Sequence, residues 1–110
     1  MEQIYVFGLN WRRLSSERIE AYTIPSDQQL ERLPGLSAVL GLGELCYLAT
    51  CNRVELSCVL REGQRPERIR EAIFAELTGG DDPVRARQGV RIWWGESAVE
   101  HLFLVAAGLD

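Results

Sequence analysis

Two strand-like runs separated by three residues constrain this chain most. They are residues 44–50 (ELCYLAT) and 54–60 (VELSCVL). In the second run Val54, Leu56, Cys58 and Leu60 alternate with Glu55 and Ser57, the period-2 pattern of a half-buried strand. Cys51, Asn52 and Arg53 lie between the runs. Asparagine suits a turn because it tolerates left-handed backbone geometry. The segment therefore reads as a β-hairpin with a cysteine at its bend.

The rest of the chain supplies further elements. Residues 3–9 read as a strand with Ile4, Val6 and Gly8 on one face. Serines at 15 and 16 can cap a short helix. Pro25 breaks the chain, and Ser26 with Gln29 has the spacing of a capping box for a new helix edged by Leu30 and Leu33. Pro34 and Gly35 interrupt that helix, and LSAVLGLG adds another turn or two. The clearest helix follows Pro66. Glu67 suits its positive start, Ile69, Ala72, Ile73 and Leu77 form its apolar stripe, and Gly79-Gly80 suits its end. VRIWWG reads as a strand. SAVEHLFLVAAGL reads as a helix with a second capping box at Ser97 and Glu100. Val99, Leu102, Phe103 and Ala106 line one face of it, and His101 lies on a neighbouring face with Ala98 and Val105. The order β, α, α, β, β, α, β, α implies an α+β fold: an antiparallel or mixed sheet of about four strands with helices packed on one face. With 110 residues, the expectation is a single domain spanning 1–110.

Composition excludes several classes. The formal net charge of -4 argues against broad, charge-driven nucleic-acid binding, although a local basic patch remains compatible with it. All 12 basic residues are arginine, so no lysine is present to form a Schiff base. No run approaches the length of a membrane helix, and the first residues lack a signal-peptide pattern. A cytoplasmic protein that does not engage membranes is the expectation.

Few residues carry chemistry. Cys46, Cys51 and Cys58 are spaced five and seven residues apart, which fits neither a disulfide framework nor a zinc site, so no metal is expected. Cys46 and Cys58 lie inside strand-like runs and read as packing residues. Cys51 is different because it lies at the break between strands. A nucleophilic thiol needs partial exposure and nearby positive charge, which Arg53 could supply. On pattern alone Cys51 fits either a structural or a nucleophilic role. His101, the single histidine, is compatible with a rim position or with a thiol–imidazole couple. The glycines of GLGELC precede a strand rather than follow one, so they do not form a dinucleotide loop. Trp93-Trp94 reads as half core and half edge, without the clustered arginines of a base-stacking surface.

Three segments together resemble a known family. VFGLN near the start, LATCNRVEL in the middle and ESAVEHLFLVAAGLD at the end are similar in order and spacing to the N-terminal catalytic domain of glutamyl-tRNA reductase. That family typically reads G-L-N, then S-T-C-N-R-x-E, then G-E-x-A-V-x-H-L-F-x-V-A-x-G-L-D. The resemblance spans essentially the whole chain. It implies an NADPH-dependent oxidoreductase that acts on glutamyl-tRNA in the first step of tetrapyrrole (porphyrin) biosynthesis. It implies Cys51 as the nucleophile that forms a thioester, and His101 as a catalytic neighbour. It implies Thr50, Cys51, Asn52 and Arg53 as the substrate-binding stretch. Arg53 is then a chemically sensible partner for the glutamate carboxylate, since a guanidinium grips carboxylate bidentately. The family often has His-Lys-Thr after G-L-N, where this chain has Trp11, Arg12 and Arg13, and Ser where this chain has Ala49.

The chain stops directly after an apolar helical pattern, which reads as a piece of a longer protein. The resemblance implies that the NADPH-binding and dimerisation domains lie outside these residues, that the full-length enzyme is a homodimer and that this piece is a monomer. The alternative reading is a non-catalytic tRNA-binding or regulatory domain on the same scaffold.

Overall fold

A computed structural model describes residues 3–10, 23–42, 44–50, 53–78 and 88–108. The helix expected near Ser15 or Ser16, the Gly79-Gly80 cap, and residues 11–13 lie outside the described residues. The described elements are β1 (Gln3–Asn10), α1 (Ser26–Leu40), β2 (Leu45–Ala49), β3 (Arg53–Leu60), α2 (Pro66–Thr78), β4 (Arg91–Trp94) and α3 (Glu96–Ala106). The four strands form one sheet in the order β2-β3-β1-β4. Every pairing is antiparallel, so the expected α+β architecture is realised with a purely antiparallel sheet.

The hairpin is the one expected from sequence. Leu45 pairs with Cys58 and Ala49 with Val54, and the Thr50 N–H donates to the Arg53 carbonyl at 2.9 Å. The alternation sends Val54, Leu56, Cys58 and Leu60 to one face, where Phe7 and Leu9 of β1 join them. On that face α1 contributes Leu36 and Leu40, and α2 contributes Ile69, Ile73 and Phe74. These residues make the apolar core. The one-faced expectation holds for α1 and α2, whereas α3 crosses the opposite face.

Helix starts and breaks depart from expectation in instructive ways. Helix α1 runs unbroken for 15 residues through Pro34. Pro34 and Gly35 are both exposed, so the backbone bond that proline forfeits falls where water can replace it. Leu33, Leu36 and Leu40 meanwhile hold the other side against the core. Pro25, not Ser26, occupies the cap of α1, and the Gln29 side-chain amide donates to the Ile24 carbonyl at 3.0 Å. The helix ends in a Schellman turn. Gly41 has φ 68°, its N–H reaches the Ala38 carbonyl, and Leu42 reaches the Ser37 carbonyl.

The turn into α3 depends on glycine. Gly95 has φ 60° and ψ -132°, a combination essentially reserved for residues without a Cβ. Its carbonyl accepts from the Ala98 and Val99 N–H groups, so Gly95 caps the helix where Ser97 was expected to. Of the face expected to pack, Val99, Phe103 and Ala106 are exposed and Leu102 is half-buried, whereas Ala98 and His101 are the buried residues of α3. Among the described residues no helix is long and apolar enough to cross a membrane.

The cysteines of the hairpin part company. Cys58 faces the core and burial pushes its thiol up to about 11. Cys46, expected to pack, is exposed, because β2 is an edge strand and Cys46 shares the face of Ser57 rather than that of the core. At pH 7 a thiol titrating near 11 is thiolate in only roughly one molecule in ten thousand. Alkylation of the native chain followed by peptide mapping is therefore expected to modify Cys46 and leave Cys58 intact until the chain unfolds. Because the folded pKa lies above the ordinary thiol value of 9.0, the Cys58 contribution to stability is complete below pH 9 and is lost as pH rises towards 11. Cys58→Ala is expected to flatten that alkaline slope in denaturant titrations, whatever it does to stability at neutral pH. Gly95→Ala is expected to lower unfolding stability by about 1–3 kcal/mol, since it forces a Cβ into a glycine-only conformation. That Cβ would also sit 3.0 Å from Gln3 Nε2.

Candidate active site

The face opposite the core carries the polar chemistry. Register places Gly8 of β1 between Glu55 of β3 and Arg91 of β4, and Val6 between Ser57 and Trp93. Asn10 pairs with Arg53, so Arg53, Glu55, Arg91 and Trp93 belong to this one face. The pattern of a half-buried strand predicts a solvated Glu55. The side chain is instead 3% exposed, because Trp93 and α3 cover the sheet there.

His101 completes the cluster. It is 3% exposed, and its Nε2 lies 2.6 Å from Glu55 Oε2. Its ring stacks on Trp93 with centroids 3.7 Å apart and planes 15° from parallel. The Arg91 guanidinium lies over the same indole, 4.7 Å from its centroid. Arg53 Nη1 is 3.3 Å from the same carboxylate oxygen that meets His101. An ionised carboxylate only accepts hydrogen bonds, and Arg53 Nη1 already donates to this one. His101 therefore meets Glu55 as the Nε2–H donor, and in the neutral imidazole Nδ1 carries the lone pair. Glu55 Oε1 is buried and has no partner among the described residues.

Gly8 is what lets this cluster close. A Cβ at Gly8 would stand 2.9 Å from Trp93 Cζ3 and 3.2 Å from Glu55 Oε2. Real Cβ atoms essentially never approach as closely as the first of these distances, so any side chain at Gly8 displaces the indole, the carboxylate or both.

Of the residues singled out from sequence, Arg53 and His101 are brought together through Glu55. Thr50 is exposed at the end of β2 and bonded through its backbone to Arg53. Cys51 and Asn52 lie outside the described residues; in sequence they are the two residues between Thr50 and Arg53. Sequence reasoning missed Glu55, Trp93 and Gly8. For Glu55 the signal was available: an acid two residues beyond a candidate arginine, on the strand that starts at the cysteine. Among the described residues no group of three or more histidine, cysteine or acidic side chains could hold a metal ion. A cavity of about 580 Å³ lies between β4 and the start of α2, lined by Tyr5, Pro66, Arg70, Ile92 and Trp94 among others. Tyr5, Ile92 and Trp94 are on the core side of the sheet, so the sheet separates this cavity from Glu55 and His101.

A family model described as the glutamyl-tRNA(Glu) reductase N-terminal domain matches residues 7–110. A glutamyl-tRNA reductase of Solidesulfovibrio magneticus is 36% identical over 99% of this chain and 24% of its own length. One of Synechococcus sp. is 36% identical over 97% of this chain and 25% of its own length. The solved structure of glutamyl-tRNA reductase from Methanopyrus kandleri superposes with a TM-score of 0.65 at 28% identity, covering 99% of this chain and 23% of that one. This chain thus spans about a quarter of the length of the relatives it matches. It belongs to the glutamyl-tRNA reductase N-terminal domain family.

Proposed function

We propose that this chain is the thiol-dependent catalytic domain of a glutamyl-tRNA reductase, with Cys51 as its nucleophile. The observation that carries the reading is the meeting of Arg53 and His101 on one buried carboxylate. It lies on the strand that begins two residues after the cysteine. The relatives are named for the enzyme that uses glutamyl-tRNA, which supplies the substrate.

In this reading the Cys51 thiolate attacks the carbonyl carbon of the ester that joins glutamate to tRNA. The bond from sulfur to carbon forms and the bond from carbon to the ribose oxygen breaks. The ribose oxygen leaves as a hydroxyl with the proton that His101 Nδ1 took from the Cys51 thiol, and a glutamyl thioester remains on Cys51. Thr50, Asn52 and Arg53 bind the glutamyl group, with the Arg53 guanidinium facing its carboxylate. His101 is the proton-handling neighbour through Nδ1. The positively charged Arg53 also favours the thiolate over the thiol.

The full-length protein would then reduce the thioester to glutamate-1-semialdehyde with NADPH, opening tetrapyrrole (porphyrin) biosynthesis in the cytoplasm, and would do so as a homodimer. The described residues do not fit NADPH: Gly41 closes a helix and precedes β2, whereas a dinucleotide cradle needs glycines between a strand and a helix. No step of the reduction is assigned to this chain, and NADPH-binding and dimerisation domains belong to the part of the enzyme beyond it.

Incubation of the chain with charged glutamyl-tRNA is expected to add one glutamyl group at Cys51, read by intact-mass and peptide mass spectrometry. Cys51→Ser is expected to abolish the adduct and Cys46→Ser to leave it unchanged. Iodoacetamide is expected to label Cys51 faster than the exposed Cys46. Binding of tRNA without any adduct, together with equal labelling rates, would move the assignment to a non-catalytic tRNA-binding domain.

A further inference from the structure

Glu55 is the one acidic side chain buried among the described residues. A carboxylate under a helix costs several kcal/mol in desolvation unless it is paired. A chain that needed only a filled space at this position would gain from an apolar residue of similar volume. Glu55 is instead paired twice through one oxygen, to His101 at 2.6 Å and to Arg53 at 3.3 Å. These two residues are 48 positions apart in sequence and belong to different elements, α3 and β3.

The imidazole is held along two independent directions. The bond to Glu55 fixes one edge of the ring, and the stack on Trp93 fixes its plane. The charged groups near it on the elements packed around it are Glu55 and Arg53 on β3 and Arg91 on β4, the last lying over Trp93. Only Glu55 can accept the Nε2 proton.

We propose that Glu55 is a positioning residue for the reaction: its carboxylate holds His101 as the Nε2–H tautomer, keeps Nδ1 available for proton transfer, and aligns the Arg53 guanidinium on the same oxygen. The proposal rests on the thioester reading above and deepens it. Glu55 does not touch the substrate. It acts through His101 and Arg53, as an acid that orients a catalytic imidazole does elsewhere.

The chain has a single histidine, which makes a direct test available. A short imidazole-to-carboxylate bond in a buried site gives a slowly exchanging proton signal, well downfield of amide and indole protons. Proton NMR of the unmutated chain is expected to show one such signal, bonded to the imidazole nitrogen. Glu55→Gln keeps the volume and removes the charge. It is expected to move that signal upfield or abolish it, to slow single-turnover glutamyl transfer to Cys51 by roughly tenfold or more, and to leave tRNA affinity within about twofold. A folded Glu55→Gln chain that is acylated at the unmutated rate overturns the proposal and leaves the thiol reading standing. Absence of the downfield signal from the unmutated chain overturns it without any variant, which covers the case in which Glu55→Gln does not fold. If the unmutated chain forms no thioester, the thiol reading falls and the catalytic half of the proposal with it. The NMR signal still decides whether Glu55 orients His101.

Discussion

Everything on the polar face of this sheet depends on a carboxylate being stable where the alternation of β3 would place water. Glu55 is 3% exposed beside Gly8, beneath a helix and an indole. Its burial is tolerable because two donors converge on it, one of them a guanidinium. Remove either donor and a buried charge is left with half its compensation, which is far more costly than never having buried it. The cluster is therefore cooperative: Arg53, Glu55 and His101 are each present on condition of the others.

Two glycines make the cluster geometrically possible, for different reasons. At Gly8 the issue is space, because a Cβ would press on both Trp93 and Glu55. At Gly95 the issue is backbone conformation, because φ 60° with ψ -132° turns β4 into α3 within a single residue. That turn sets the distance from Trp93 to His101 at eight residues of chain and returns the helix across the strand it has just left. The stack at 3.7 Å follows from this tight reversal. Residues 7–110, the span matched by the family model, contain both glycines.

The hairpin was legible in the sequence because both of its signals are local. Period-2 alternation marks the strands, and residues that accept turn geometry mark the bend. The apolar stripe of α2 was legible for the same reason: Ile69 and Ile73 are buried where the pattern puts them. Glu55 was misread because alternation says which residues share a face but not whether that face is wet. Only the placement of α3, a non-local fact, dries it. Helix α3 was misread in the converse way. Its apolar residues Val99 and Phe103 suggested the packed face, yet the face that packs is the one that finds a partner for a polar ring, through His101 and Ala98. Pro34 was read as a break because proline usually is one. The core contacts of Leu33, Leu36 and Leu40 outweigh that local preference when the lost bond faces solvent. Cys51 gained its importance from resemblance rather than from periodicity, and Cys51 and Asn52 lie outside the described residues.

A histidine on a helix surface ordinarily turns about two side-chain bonds and samples several rotamers. For His101 the backbone of α3 fixes where the ring begins, Glu55 holds one ring nitrogen, and Trp93 holds the ring plane. These constraints come from three different elements, so small movements of any one are opposed by the other two. A group positioned this way loses little further entropy on meeting a reacting atom, and holding a base close to its working geometry is worth several kcal/mol in a proton-transfer step. The hairpin is constrained in a comparable way. Its two strands are tied residue by residue from Leu45–Cys58 to Ala49–Val54, and the last backbone bond, from Thr50 to Arg53, closes directly over the two-residue connection. A connection that short, anchored at both ends on paired strands, ties the sequence position of Cys51 to the strand that carries Arg53 and Glu55.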